Sequence, residues 1–349
     1  MIMWKGRRLF FCSLVFIAGD LFGGWLTLPP ALFFTTSIVC AVTALIRRNR
    51  IVLLATLFLL GAASLQISRM SDRSVGSAIG LAASALKEDF SASLGNILNA
   101  GDELAIVRAL TIGDKSDISL ELSENYRKSG AMHLLALSGL HVGIIYKLAE
   151  LMLFFIGGSI AAKRLKSLII VVLLWVFAVI TGLSSSIFRA VLMITIHELS
   201  GWRYSEKDGL TSLAASALII TIFNPEAPRE VGFQLSFFAV FSICTIYPMI
   251  KRLMNTRILL LERLWNTICI SLSCQMTAGI IAFIYFGNFP AYFLITNILA
   301  IPLTGASLYL TAAALITESI PFMGTFTAMA LKFTVGVLNE IIAIIANLE

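Results

Sequence analysis

The sequence predicts an all-α fold, a polytopic bundle of about eleven transmembrane segments, some of them short or broken. Three observations carry this. The chain is 58% hydrophobic and 13% charged, with a mean hydropathy of +0.91, where a soluble domain carries roughly 25% charged residues. Continuous apolar runs, many of them near the ~20 residues that cross a bilayer, recur from end to end; a barrel would alternate with period two. Lys and Arg gather in short clusters between the runs, at Lys5-Gly-Arg-Arg8, Arg47-Arg-Asn-Arg50, Lys163-Arg-Leu-Lys166 and Lys251–Arg257. That clustering makes the net charge of +6 a topological signal rather than a nucleic-acid footprint. The five cysteines all lie in apolar runs without metal-ligand spacing and read as small hydrophobes.

Leu9–Leu28 follows the basic N-terminus without a convincing cleavage site, so an uncleaved first helix is expected. Ala31–Ile46 and Ile51–Ile67 are short second and third spans, and Pro29-Pro30 between the first two cannot continue a helix. Residues 1–67 thus form an N-terminal three-span region. Residues 68–129 are the long polar interval, expected outside the cytoplasm as amphipathic helices. Leu86, Phe90, Leu94 and Leu98 recur every fourth residue as one apolar stripe. Asp102 is placed to cap a second helix through Leu110, Asp117 to cap a third that stops near Gly130, and Gly113-Asp114 to turn between them. Three short helices lying along the membrane surface satisfy this pattern.

Residues 130–349 form the transmembrane core. A span from the Gly130 region runs to about Ile156, and Lys163–Lys166 follows as a basic loop. Leu168–Leu199 is too long for one crossing and is interrupted by Thr181-Gly-Leu-Ser-Ser-Ser186. Two short crossings keep every basic cluster, including Trp202–Lys207, on the cytoplasmic side; one crossing would put Lys251–Arg257 outside. Further spans are expected at about Leu210–Phe223, Phe233–Ile250, Leu264–Phe286, Ala291–Thr317 and Phe326–Ala346, with Pro302 kinking the next-to-last. This topology puts the N-terminus in the cytoplasm. No internal repeat is evident, so the inverted-repeat transporter signature is unsupported.

Polar groups at hydrocarbon depth are costly unless they face the bundle interior or water. Arg189, in Ser184-Ser-Ser-Ile-Phe-Arg-Ala190, would cost roughly 2.5–3.5 kcal/mol mid-membrane; it either snorkels to an interface or lines a pore. Gln234, Gln275 and Asn297 stand in apolar runs, and each can also be a plain interhelical hydrogen bond worth about 0.6 kcal/mol. Asp20 lies mid-span and is a candidate partner for Arg189. Glu150 and Glu198 fall near cytoplasmic helix ends, where solvation is available.

The densest chemistry is in Gly130-Ala-Met-His-Leu-Leu-Ala-Leu-Ser-Gly-Leu-His-Val-Gly143. On one ideal helix His133 and His141 would point about 80° apart, which disfavours joint metal ligation, and no carboxylate or cysteine stands at ligand spacing. No metal site or cofactor is expected. Ser138 precedes His141 by three residues and can hydrogen-bond to it, which admits an intramembrane serine hydrolase; the supporting parts of such a site are missing. Gly130, Gly139 and Gly143 allow close helix packing, the last two as Gly-x-x-x-Gly.

Four blocks in order make a more specific pattern. They are Leu110-Thr-Ile-Gly-Asp-Lys115 with His133–Gly143; Ser185-Ser-Ile-Phe-Arg-Ala190; Val231-Gly-Phe-Gln-Leu-Ser-Phe-Phe-Ala239; and Gln275 with Tyr285-Phe-Gly-Asn-Phe-Pro290 and Asn297-Ile-Leu-Ala-Ile-Pro302. Over residues 105–305 this resembles the ComEC/Rec2 competence family. The resemblance implies a multi-pass inner-membrane channel that passes single-stranded DNA into the cytoplasm during natural transformation, possible as a homodimer. It makes His133, Ser138, His141, Arg189, Gln234, Gln275 and Asn297 candidates for lining the channel or contacting DNA.

Family members add an OB-like domain and a C-terminal metallo-β-lactamase-like domain. Here only about Ser68–Val75 stands where the first would be, the sequence ends at Glu349, and no His-x-His-x-Asp-His motif occurs. No enzyme activity is expected of this chain; a DNA receptor, a nuclease and a cytoplasmic translocase would be separate partners. Residues 68–129 hold seven Lys/Arg against nine Asp/Glu, a net of −2 and no basic funnel for DNA. A small-solute permease is the alternative from another class.

Overall fold

Long apolar runs leave the backbone no polar solvent to bond with, so it satisfies itself as helix. In the computed structural model residues 8–23, 36, 54–62, 77–202, 208–254, 258–287 and 292–348 are described, and these are helices, turns and short connections with no strand among them. The expected second span, Pro29-Pro30, the basic cluster 47–50, residues 68–75 and the loop 203–207 lie outside the described residues, apart from residue 36.

In chain order the helices are α1 (Arg8–Gly23), α2 (54–62), α3 (Ser77–Ile97), α4 (Asp102–Ile112), α5 (Leu120–Lys128), the short α6 (Met132–Leu135), α7 (Gly139–Met152), α8 (Ile160–Ile180) and α9 (Ser185–Ser200). They continue with α10 (Gly209–Phe223), a 3-10 turn (Ala227–Arg229), α11 (Val231–Thr245), α12 (Tyr247–Lys251) and α13 (Leu259–Cys274). A π-helical turn (Gln275–Gly279) joins α13 to α14 (Ile280–Phe286), followed by α15 (Phe293–Thr317) and α16 (Pro321–Ala346). Four segments among the described residues are long and apolar enough to cross a membrane: Val231–Lys251, Leu259–Phe286, Phe293–Thr317 and Phe322–Ala346. Leu9–Gly23 and Gly209–Phe223 are shorter apolar helices.

Several local expectations are corrected. Lys163–Lys166 is no loop: Ser159 accepts from the Ala162 N–H at 3.1 Å and starts α8 early, so the basic residues occupy its first turns. Helix α4 is capped by Gly101 rather than Asp102, and Asp102 and Glu103 sit in its first turn, where the helix dipole favours them. Helix α5 is capped by Ser119, which accepts from the Leu122 N–H at 3.2 Å, rather than by Asp117. Asp117 instead holds Arg108 at 2.5 Å. The break in the long run falls where the sequence places it: Gly182 and Leu183 have φ of 73° and 51° between α8 and α9. Leu183 is the one non-glycine with positive φ among the described residues, a conformation that costs about 1–2 kcal/mol.

Two units are distinguished, Met1–Val75 with Leu192–Cys244 and Gly76–Val191 with Thr245–Glu349; α9 contributes residues to both. In the first, α1 packs on α2 through small residues. A Cβ on Gly19 would overlap the Phe58 carbonyl, and Gly61 meets the backbone of Phe16 and Asp20, the close approach that glycine permits between membrane helices. Asp20 is fully buried, and Arg229 supplies a partner: its Nη1 donates to Asp20 Oδ2 at 3.1 Å and its Nη2 to the Asp20 carbonyl at 2.8 Å. The guanidinium therefore neutralises a buried carboxylate and caps the C-terminus of α1 together.

The core of the second unit is built from the polar interval as much as from the apolar helices. Leu94 and Leu98 of α3, most of α4, and Leu122 and Tyr126 of α5 cluster with Ala300 and Leu308 of α15 and with Leu331, Val335, Leu338 and Ile342 of α16. From Leu104 to Ile112 every residue of α4 except Arg108 is buried. A helix apolar all round is a core helix, so lying along the membrane surface does not describe α4. The Tyr126 hydroxyl donates to Asn339 Oδ1 at 2.9 Å, fastening α5 to α16.

Candidate functional site at the start of helix α7

Ala136 is extended after the single turn of α6, and Ser138 (φ −137°, ψ 173°) begins α7 as its cap. Ser138 Oγ accepts from the Leu140 N–H at 3.3 Å. In return the Ser138 N–H donates to Nδ1 of His141 at 3.3 Å, and Ser138 Oγ lies 3.2 Å from the same nitrogen. This is a capping box with histidine in the place usually taken by Glu or Gln. A backbone N–H can only donate, so Nδ1 must accept and the neutral ring carries its proton on Nε2. His141 is fully buried, and its Nε2 has no hydrogen-bond partner among the described residues. Leaving such a donor bare would cost about 1–3 kcal/mol.

His133 has the opposite arrangement. Its Nδ1–H donates to the Gly130 carbonyl at 3.0 Å, leaving Nε2 as the acceptor. The turn between α6 and α7 means the two rings do not share one helix, so their relation is not set by helical spacing. They are near enough to interact electrostatically. With His141 Nδ1 occupied and Nε2 protonated, His141 offers a metal no lone pair. No group of three or more His, Cys, Asp or Glu suited to a metal occurs among the described residues.

Residues of the motif blocks within this unit pack on one another. Gly113, the left-handed C-cap of α4 (φ 70°), lies under Leu137: a Cβ there would be 2.6 Å from Leu137 Cδ1. Thr296 Oγ1, next to Asn297, donates to the Ser129 carbonyl at 2.7 Å, just before Gly130 (φ 76°). Gly139 faces Ala190 Cβ at an ordinary 3.6 Å, while a Cβ on Gly143 would meet nothing within 4 Å among the described residues. Phe188 packs edge-on against Trp175, fixing the start of α9 to α8. Arg189 follows, 5% exposed, so it is enclosed by protein rather than snorkelling to solvent.

The remaining candidates sit apart from this focus or bond locally. Asn297 Nδ2 donates to Ser271 Oγ at 3.4 Å, bridging α15 to α13. Gln275, one turn after Ser271, opens the π turn with its side chain over Gly279. Gln234 belongs to the other unit, where its Nε2 donates to the Pro228 carbonyl at 3.1 Å and closes the turn before α11. Glu198, expected to be solvated, is 4% exposed. Glu150 is met by Lys147 Nζ at 2.6 Å. Sequence reading missed Arg229, Tyr126 and Gly19; the Gly19–Gly23 spacing was the available signal for the last. Outside the membrane, hydrogen bonds from Ser116 hold the Asp114 carboxyl below the usual carboxylate range, and Arg127 does the same for Glu124.

Comparison with known proteins matches these residues to one family. The family described as Competence protein matches residues 110–349, which include the histidine motif, Arg189, Gln234, Gln275 and Asn297. ComE operon protein 3 of Bacillus subtilis (strain 168) is 37% identical over 155 residues, 43% of this chain. The matched stretch covers only 19% of that protein's own length. No solved structure matches. With its all-helical fold, its membrane-capable helices and a family match over most of its length, the chain belongs to the Competence protein family.

Proposed function

We propose that the chain is the membrane core of a DNA-uptake channel, passing single-stranded DNA across the bacterial inner membrane during natural transformation. The observation that carries the reading is the convergence, within one unit, of family-motif residues: Gly113 under Leu137, Gly139 against Ala190, and Thr296 on Ser129. In this reading about eleven crossings, with short and broken helices among them, keep the N-terminus in the cytoplasm. His133, Ser138, His141 and Arg189 form the constriction, and Gln234, Gln275 and Asn297 line the lumen or space the helices. The organisation is an N-terminal region to residue 67, an extracytoplasmic segment 68–129 and the channel core beyond. Separate chains would supply DNA capture, strand degradation and cytoplasmic pulling, and two copies would form a homodimer.

Ser138 as a helix cap supports a structural over a nucleophilic role, since its hydroxyl is engaged at the start of α7. A small-solute permease is favoured by one observation, the strained break at Gly182 and Leu183. Deleting the gene in a competent host should abolish transformation by purified DNA. An unchanged transformation frequency refutes the channel, and solute flux into proteoliposomes that is lost in Arg189→Ala would establish the permease instead.

A further inference from the structure

The capping box leaves the His141 ring with one outward-facing function. Its Nδ1 is spent on the Ser138 N–H, and its Nε2, buried and unpartnered among the described residues, must carry the ring proton. The position is the positive end of a fourteen-residue helix, where an oxygen lone pair is favoured. A second observation narrows the guest. His133, close by, is held in the complementary form, with its Nδ1–H on the Gly130 carbonyl. The two rings thus present one neutral donor and one neutral acceptor, each oriented by backbone.

A bare cation would be repelled by the His141 Nε2–H. A transition metal would need a nitrogen lone pair that His141 does not offer. An acceptor oxygen fits.

We infer that His141 is a fixed, uncharged hydrogen-bond donor whose ligand is an acceptor oxygen, supplied by water or by a phosphodiester. The phosphodiester source rests on the channel reading above; the donor itself does not. An uncharged donor contacts each passing phosphate without the deep electrostatic well of a lysine or arginine, which suits a site that must release what it binds.

The full chain contains three histidines, so 15N labelling of imidazoles in detergent micelles gives a resolvable spectrum, assigned with His133→Gln and His141→Gln. The expected result is His141 protonated on Nε2 and His133 protonated on Nδ1. Addition of a deoxythymidine oligonucleotide shifts the His141 Nε2–H resonance if a phosphodiester is the ligand. An unshifted resonance that exchanges with bulk water identifies water. Protonation of His141 on Nδ1, or an Nε2–H that neither exchanges nor responds to the oligonucleotide, overturns the inference.

Replacing His141 with Nε2-methylhistidine keeps the capping acceptor and removes the donor. If a phosphodiester is the ligand, transformation falls at least about tenfold. Wild-type transformation with the expected tautomers in place overturns the phosphodiester source and leaves the donor standing.

Discussion

Gly113 is where backbone conformation and packing both forbid a side chain, so its replacement has a calculable cost. In Gly113→Ala the new Cβ would sit 2.6 Å from Leu137 Cδ1 and 3.0 Å from its Cγ, at a residue with φ of 70°. The left-handed conformation costs a non-glycine residue about 1–2 kcal/mol. Displacing Leu137, which is 9% exposed, adds about 1 kcal/mol of overpacking. The expected destabilisation is therefore about 2–3 kcal/mol, read as the shift in the midpoint of SDS-induced unfolding in mixed micelles. Leu137→Ala separates the two parts. Alone it leaves a cavity; with Gly113→Ala it removes the clash but not the φ cost, so the double variant should be about 1 kcal/mol less destabilised than the sum of the singles. A Gly113→Ala protein within about 0.5 kcal/mol of wild type, or strict additivity of the pair, would refute this account of the junction.

Three further outcomes follow from other contacts. Arg229→Met strands the buried Asp20 carboxylate; the expected loss is about 3–5 kcal/mol, largely recovered when Asp20→Asn is added, and thermal unfolding of single and double variants tests this. Tyr126→Phe removes the hydroxyl that bonds Asn339 and should cost about 1 kcal/mol in the same assay, with unchanged membrane insertion. Asp114 has a folded-state pKa below its unfolded value, so its contribution is present above the unfolded pKa and disappears as pH falls through the folded one. Asp114→Asn should accordingly flatten the acid limb of stability while leaving neutral-pH behaviour nearly intact, as seen in unfolding midpoints collected across that range.

The all-helical fold was legible because hydropathy and continuous apolar runs are one-dimensional signals. The break at Thr181–Ser184, the turn at Gly113 and the π-interrupted Leu259–Phe286 span lie at or near their expected places, since glycine and run length mark them. Caps were misplaced by one or two residues at α4 and α5 because Asp, Ser and Gly all compete for that role. The buried environment of α4 was hidden by its setting. Leu104-Ala-Ile-Val beside Ala109-Leu-Thr-Ile112 is apolar all round, yet the charged residues before and after it suggested a surface helix. In the candidate site, the Ser138–His141 pairing could be read from spacing, whereas the assignment of protons to ring nitrogens required knowing which atoms face backbone. Arg229 escaped notice because its partner Asp20 lies more than two hundred residues away.

The π turn at Gln275–Gly279 constrains how this sequence can change by insertion and deletion. Such a turn holds one residue more than the α-helix around it. Losing any single residue there would restore a regular helix and swing everything after it by about 100°. Ile280, Phe283 and Ile284, now 56%, 51% and 72% exposed, would rotate off their outward face and polar neighbours would take their place against lipid. Length in this stretch is therefore fixed more tightly than residue identity: descendants of this gene can exchange side chains here, but a one-codon gap would be removed by selection.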